Sequence, residues 1–480
     1  MSESETIDVI VIGAGPAGEV LAGRLAELGQ QVAIVERELV GGECSYYACM
    51  PSKALLRPAQ VLSEAARVPG AAEALTGTVD VASTLARRDQ VIGGLGDSSQ
   101  VPWLEDRGIQ LIRGHGRLDG ERRVRVDGKL YQAGRAVVIA VGTTAAMPPI
   151  AGLEHSAPWT NRHITTTRTV PASLIVLGGG AVGVEMADAF SSLGARVTLL
   201  EAAERLIPRE EEFASRELRQ ALRERGIDVR VAVEVRSVQR ESAAVTVELS
   251  DGALIEGREL LVAAGRRPLT ADLGLESVGL DAGRYLDVDD GMRVRGTSWL
   301  YAVGDANGRS LLTHLGKWQA HVLAGLLAGD GEAPVAEQPP LPRVVFTEPQ
   351  VAAVGLTLRA ALDDGVDAHA YDVPTSGTAG ASFHGRGVPG TSRIVVDEQR
   401  GVIVGATFVG ADVAEWLHAA TIAIVSRTPV EMLWQAIPAF PTRSEVWLKL
   451  LEQRAFELRD AEREPLASPA TDRWLARSKN

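Results

Sequence analysis

Cysteine occurs only twice in 480 residues, at Cys44 and Cys49. So small a supply excludes a disulfide-stapled scaffold and points to a reducing cytoplasm. It also excludes a thiolate zinc site, which needs more ligands than two cysteines provide. No His/Asp/Glu cluster has metal-ligand spacing and no serine sits in a nucleophile elbow, so no metal site is expected. Basic charge is short as well: 49 Lys and Arg stand against 62 Asp and Glu, a formal charge of −13. Nothing in that balance offsets phosphates, which argues against a nucleic-acid partner. No apolar run approaches the roughly 20 residues of a membrane span. The first apolar strand begins at Ile7, which leaves no room for a signal peptide. The expectation is a cytoplasmic globular protein with no membrane partner. At roughly 100–200 residues per domain, its length implies three or four domains.

What is present is a repeat. Apolar IDVIVI (7–12) runs into a turn carrying Gly13, Gly15 and Gly18, then a helix-like stretch, then QVAIVE ending at Glu36. SLIVLG (173–178) likewise runs into Gly178, Gly180 and Gly183, a helix-like stretch, and RVTLLE ending at Glu201. The first glycine and the acid are 23 residues apart in both. The first glycine of such a turn permits a tight strand-to-helix bend, the second lets backbone approach a pyrophosphate, and the third packs helix on strand. The carboxylate accepts hydrogen bonds from a ribose. Two such sites imply two dinucleotides, a tightly held flavin and a nicotinamide. Glu201 would repel a 2′-phosphate and no arginine follows immediately, which favours NADH over NADPH, although Arg205 lies nearby.

Other segments fit an α/β plan of two Rossmann-like domains followed by an α+β domain. AVVIAVGTTAAMPPIAGL (136–153) and ELLVAAGRRPLT (259–270) read as buried strands on which the chain leaves each nucleotide domain. TSWLYAVGDANG (297–308) is a short strand that places Asp305 where a strand end meets a ligand crevice. From about 340, alternating apolar residues and turns read as antiparallel strands, followed by helical AEWLHAATIAIVSR.

With these motifs in order, together with GGECSYYACMPSK, GGGAVGVEMA, YAVGDA, VVFTEPQVAAVGLT and FPTRSE, the chain resembles the two-dinucleotide flavoprotein disulfide reductases over about 7 to 455. That family includes dihydrolipoamide dehydrogenase, glutathione reductase and mercuric reductase. The resemblance implies FAD at the first site, NAD(P)H at the second, and a homodimer whose active sites are completed by the partner chain. It implies an FAD-binding domain over 1–150 with a return segment at 273–338, a nicotinamide domain over 151–272, an interface domain over 339–460 and a polar tail over 461–480. Gly42, Gly142, Asp305 and His314 would join the first turn in holding FAD, with Asp305 on the ribityl chain, and Gly265 would join the second site. Cys49 would be the charge-transfer thiol against the flavin and Cys44 the interchange thiol facing a small-molecule acceptor. Lys53 would pair with Glu185 beside the flavin's reactive nitrogen, where a fixed positive charge favours the reduced, anionic ring; the alternative is an ordinary ion pair of little energetic weight. The four residues between the cysteines, with Pro51 soon after, fit one turn of distorted helix that brings the sulfurs together. A thiolate near a helix N-terminus has a lowered pKa. Two buried, unlinked cysteines are the alternative.

One position departs from the family. Its disulfide-reducing members end in His-Pro-Thr-x-Ser/Thr-Glu, in which the histidine is the acid/base and the glutamate orients it. Here the run is Phe440-Pro-Thr-Arg-Ser-Glu445. A positioned acid/base contributes roughly 10²–10⁴ in rate, so about 3–5 kcal/mol of barrier would need another source. Three readings compete. A disulfide is still reduced, with Tyr46, Tyr47, Glu445 or water moving the proton. Alternatively the acceptor is a quinone, a metal ion or another electrophile needing no thiol acid/base. Mercuric reductases also carry a Phe-Pro run here, but they add a C-terminal cysteine pair that this chain lacks. In the third reading the protein is a flavin-bound redox sensor. His314, His384 and His418 lack the Pro-Thr-x-Ser-Glu context; His384 falls in a Gly-rich loop, and His418 is expected to pack within a helix.

Overall fold

A computed structural model describes residues 7–329, 340–385 and 390–463 of the chain. They fall into two compact units, bounded by Met1–Leu62, Thr76–Pro208 and Arg219–Gln338 for the first and by Ser63–Leu75, Arg209–Leu218 and Pro339–Asn480 for the second.

The first unit contains two parallel sheets. In one, strand Ile7–Ile12 pairs in parallel with Val32–Glu36 on one side and Lys129–Ile139 on the other. Gln110–Arg113 extends the sheet beyond Val32–Glu36, and Leu300–Ala302 returns to pair with Lys129–Ile139. The central strand reads as nearly unbroken apolar sequence because both of its faces are covered. Val9 and Val11 pack with Leu21 and Leu25 of helix Pro16–Glu27 and with Leu323 of helix Thr313–Ala328. Ile10 and Ile12, pointing the other way, pack with Val137, Ile139 and Leu300. Each such side chain contributes about 1.5–3 kcal/mol by leaving water. Arg123–Val126 and Gly116–Leu118 continue Lys129–Ile139 as an antiparallel flap.

The second parallel sheet has the order Asp228–Arg230, Arg196–Leu200, Ser173–Leu177, Glu259–Val262. An antiparallel meander of Val235–Glu241, Ala244–Leu249 and Leu254–Gly257 shares its core, through Val238, Val245 and Val247 against Ile175 and Leu260. Thr143–Ala145 and Arg266–Pro268, the ends of the two runs read as domain exits, pair with each other antiparallel.

The second unit is built on a five-stranded antiparallel sheet, ordered Arg343–Val345, Gln350–Gly355, Val402–Gly410, Thr391–Asp397, Ala368–Pro374. This is the strand-rich region read from about 340. Helices Leu417–Val425 and Val446–Arg463 supply Leu417, Ala420, Val446 and Leu450 to its core. His418 lies in the first of these helices but is exposed rather than packed, because Leu417 and Ala420 take the inward face. Of the expected tail over 461–480, residues 464–480 lie outside the described residues. No helix among the described residues is long and apolar enough to cross a membrane.

The first turn of helix Pro16–Glu27 carries Glu19, whose carboxyl is pushed up to about 7 by burial, against the pull of Lys317 and with a further push from Glu36. A carboxyl with a raised folded-state pKa keeps its proton at pH values where the unfolded chain has lost it. Stability therefore declines as pH rises from about 4.5 to about 7, by at most about 3 kcal/mol, and is flat above. Glu19→Gln should unfold at a higher temperature than the parent at pH 8 and at nearly the same temperature at pH 5. Equal shifts at both pH values would instead assign the change to packing.

Candidate active site

The two glycine turns share one backbone geometry. Gly13 has φ +105°, and a Cβ there would stand 2.5 Å from the Ala140 carbonyl oxygen; a Cβ at Gly18 would stand 2.0 Å from the oxygen of Gly13. In the second turn, Gly178 has φ +111° and its Cβ would meet the Ala263 oxygen at 2.4 Å, while one at Gly183 would meet the Gly178 oxygen at 1.8 Å. Gly15 and Gly180 differ from these neighbours, since nothing lies within 4 Å of a Cβ at either. They cap helices Pro16–Glu27 and Ala181–Ser192 without side-chain hydrogen bonds. Each helix therefore points its free N-terminal amides past an open glycine, a cradle suited to a pyrophosphate. Glu36 accepts from the amides of Ala14 (2.8 Å) and Glu38 (2.7 Å). Glu201 accepts from those of Gly179 (2.5 Å) and Ala203 (2.7 Å). These bonds fix both carboxylates at their strand ends and leave lone pairs for ribose hydroxyls.

The cysteine loop begins against the first turn: a Cβ at Gly42 would lie 2.7 Å from the Gly15 Cα. Cys44 belongs to the short helix Gly42–Tyr46, and Cys49 opens helix Cys49–Arg67. The expected single distorted turn is thus two helices, broken where Tyr47 takes φ −131°. The break brings the Cα atoms of Cys44 and Cys49 to 4.8 Å, and the two residues are joined by a disulfide. A cavity of about 270 Å³ runs from Gly15 and Glu36 past Asp305 to both cysteines.

Thr313 was not singled out from sequence. Its hydroxyl lies 3.4 Å from Cys44 Sγ and 3.6 Å from Cys49 Sγ, at the start of helix Thr313–Ala328. The only signal was its position before His314 in LLTHLGK, and His314 itself is exposed. Lys53 Nζ donates to Glu185 Oε2 at 2.8 Å, with the glutamate buried in helix Ala181–Ser192. Asp305 Oδ2 accepts from Thr143 Oγ1 at 2.6 Å, and Arg266 Nε donates to the same Thr143 oxygen at 2.7 Å. Burial pushes the Asp305 carboxyl up, opposed by Thr143 and Arg266, with Glu43 adding to the rise. Gly142 lines the cavity beside Thr143, and Gly265 precedes Arg266.

The two tyrosines differ. Tyr46 is buried; its hydroxyl donates to the Val40 carbonyl at 2.9 Å, and burial pushes it up to about 12. Tyr47 lines the cavity with Arg162 stacked 4.4 Å from its ring centroid, and burial raises its pKa too. Phe440 and Glu445 belong to the second unit. Phe440 is 77% exposed, and Glu445 accepts from the Gly380 amide at 3.2 Å. His384 closes a short 3-10 turn and lies 3.2 Å from Glu64 Oε1.

The family model for pyridine nucleotide-disulphide oxidoreductases matches residues 7–321, and the model for their dimerisation domain matches 341–451. The chain belongs to this family. This oxidoreductase is 32% identical to dihydrolipoyl dehydrogenase from Chlorobaculum tepidum over 466 residues, 93% of this chain and 97% of that one. It is 31% identical to the enzyme of the same name from Haloferax volcanii, over 93% of this chain and 95% of the relative. Among solved structures it is similar to the Cu(II) complex of the HOCl-induced flavoprotein disulfide reductase RclA from Escherichia coli, with a TM-score of 0.82 and 26% identity, covering 94% of this chain and 99% of that one. LpdA from Mycobacterium tuberculosis gives 0.82 and 27%, over 93% and 100%. The pyridine nucleotide-disulphide oxidoreductase is thus a flavoprotein with a redox-active disulfide, and FAD and a nicotinamide dinucleotide are its cofactors. The dimerisation domain supports a homodimer, and the apolar side chains Ile422, Val425, Ile437 and Phe440 stand exposed on the single chain's second unit.

The glycine geometry separates folding from binding. Gly18→Ala forces a clash of backbone on side chain and should cost at least about 2 kcal/mol. Gly15→Val meets open space and should stay within about 1 kcal/mol of the parent while losing bound dinucleotide. Thermal unfolding and the cofactor content of the purified variants check both; a Gly15→Val protein with full cofactor content contradicts the cradle.

Proposed function

We propose that the enzyme is an NADH-preferring oxidoreductase that passes electrons through the Cys44–Cys49 pair to a small acceptor, with a dihydrolipoamide-like disulfide as first choice. The observation that carries this reading is the disulfide itself, lining the same cavity as the first glycine turn. Gly13, Gly15, Gly18, Glu36, Gly42, Gly142, Asp305 and His314 would hold FAD, with domains at 1–150 and 273–338. Gly178, Gly180, Gly183, Glu201 and Gly265 would hold NADH in a domain at 151–272, and 339–460 would form the interface. Glu201 supports NADH over NADPH because a fixed carboxylate opposes a 2′-phosphate. FAD bound there would accept a hydride and supply two electrons to the disulfide.

The chain's own residues manage the sulfurs. Cys49 at a helix N-terminus is favoured as thiolate by the helix dipole and free amides. The Thr313 hydroxyl is within reach of either sulfur and stabilises whichever carries charge. Lys53, oriented by Glu185, would set a positive charge by the flavin ring. Cys44 thiolate would attack the acceptor disulfide and expel one thiolate. Cys49 would then attack Cys44, re-forming the protein disulfide and releasing the second thiol. Two protons must reach the leaving sulfurs. Tyr46 spends its hydroxyl on carbonyls, which leaves Tyr47, water, or Glu445 as their carriers.

A second reading, a metal-ion or quinone reductase, is favoured by Phe440, which brings no titratable group to the family's acid/base position. The Cu(II) complex of the Escherichia coli relative supports it as well. Anaerobic NADH should bleach the bound flavin and raise a long-wavelength thiolate–flavin absorption that Cys49→Ser abolishes. Absence of that band in the parent rejects the cysteine relay. In steady state, lipoamide turnover lost in Cys44→Ser supports the first reading. Quinone or Cu(II) turnover with little lipoamide turnover supports the second, and Phe440→His should then raise the lipoamide rate at least about tenfold. Oxidation by no acceptor faster than by dioxygen would mark a redox sensor.

A further inference from the structure

The cysteine loop is held from outside by a segment that no sequence motif marks. Inside the loop, the Tyr47 carbonyl accepts from Asn161 Nδ2 at 3.0 Å and from Thr165 Oγ1 at 3.1 Å, a hydroxyl that shares its one proton with the Asn161 carbonyl at 2.8 Å. At its leading end, Glu43 accepts from Asn161 Nδ2 at 2.7 Å and from Arg162 Nε at 2.9 Å. Asn161 and Thr165 are 5% and 1% exposed, so water does not replace these donors. The backbone at Thr165 and Thr167 is fixed by Arg88, which is fully buried and donates to their carbonyls at 2.5 Å and 2.7 Å. Its Nε donates to Asp89 Oδ1 at 2.7 Å, and a buried guanidinium so satisfied is costly to displace, so the segment is a rigid support rather than a passing contact.

We propose that residues 161–167 are a clamp that sets the reduction potential of the Cys44–Cys49 pair, with Asn161 and Thr165 as its positioning residues. The inference rests on the reading that this pair cycles. In the disulfide the S–S bond itself holds the loop. Reduction consumes two electrons and two protons and breaks that bond, and the loop is then restrained only by its outside contacts. The clamp keeps the two thiols at closing distance, which raises their effective concentration and favours the disulfide. Releasing the clamp adds freedom to the dithiol alone and shifts the equilibrium toward it.

The test is a thiol–disulfide titration of the FAD-loaded protein in mixtures of reduced and oxidised glutathione, read by alkylation of Cys44 and Cys49 and mass spectrometry. Thr165→Val and Asn161→Ala should each move the equilibrium constant toward the dithiol by about tenfold, which corresponds to about 30 mV. Thr165→Ser, which keeps the hydroxyl, should match the parent. Arg162→Gln, at a partly exposed position, is the variant to use if the buried changes impair folding, and should shift in the same direction. Equilibrium constants within twofold of the parent in the folded variants, even with lowered unfolding temperatures, overturn the proposal by leaving these residues a structural role only. The titration needs no NADH, so a pair that titrates normally in glutathione but is not reduced by NADH counts against the relay and not against the clamp.

Discussion

The approach of backbone to backbone at Gly13 and Gly18 is the contact on which the first half of the molecule depends. With the Gly13 oxygen 2.0 Å from where a Cβ of residue 18 would sit, helix Pro16–Glu27 starts directly off the end of strand Ile7–Ile12. That close start aims the helix amides at one point, leaves Gly15 open above them, and sets the place against which Gly42 packs. The cysteine loop therefore begins where the nucleotide turn ends, and the distance from anion cradle to disulfide is built into two adjacent turns. The same contact at Gly178 and Gly183 gives the second site its cradle, where Glu185, two residues further along the helix, pairs with Lys53.

These features were legible because they are local. Strand, glycine spacing, helix and terminal acid all lie within 30 residues, and each step restricts the next through sterics that the residue types reveal. The antiparallel character of the last region was legible for the same reason, from alternation and turns. Contacts made by polar side chains across the fold were not. Thr313 meets Cys44 across a separation of 269 residues, and Thr165 meets Tyr47 across 118. A hydroxyl in such a pair looks like any surface threonine, since neither period nor spacing records its partner. His418 shows the opposite limit: a helical period tells that one face is buried but not that Leu417 and Ala420 define it.

Charge around the disulfide is arranged asymmetrically. Glu43 and Glu38 sit on the loop's flank and are met by Arg162, with Arg266 3.8 Å from Glu43. Neither carboxylate is left to repel a thiolate uncompensated, so the formal charge of the whole chain says little about the field at the sulfurs. Tyr46 closes the interior side: bonded to two carbonyls, it is a strut between the loop and the segments at Val40 and Gly96. The doubled tyrosine that stands out in the sequence is thus one buried support and one cavity-lining ring.

This arrangement bears on the choice between acceptors. A threonine hydroxyl donates a hydrogen bond to a thiolate but is far too weak an acid to give its proton up, so Thr313 favours the ionised sulfur without neutralising it. The helix N-terminus at Cys49 acts in the same direction. On the proposed reading, then, the sulfur environment of a single chain is suited to making thiolates and poor at protonating them. A disulfide acceptor needs both halves of that chemistry, since each expelled sulfur must find a proton. A soft metal ion needs only the first, because thiolates are the ligands it prefers and the electrons can follow without proton transfer at sulfur. The weaker the contribution of Tyr47, Glu445 or water to proton delivery, the further the balance moves from lipoamide toward such an acceptor, and Phe440 is the residue that makes this contribution decisive.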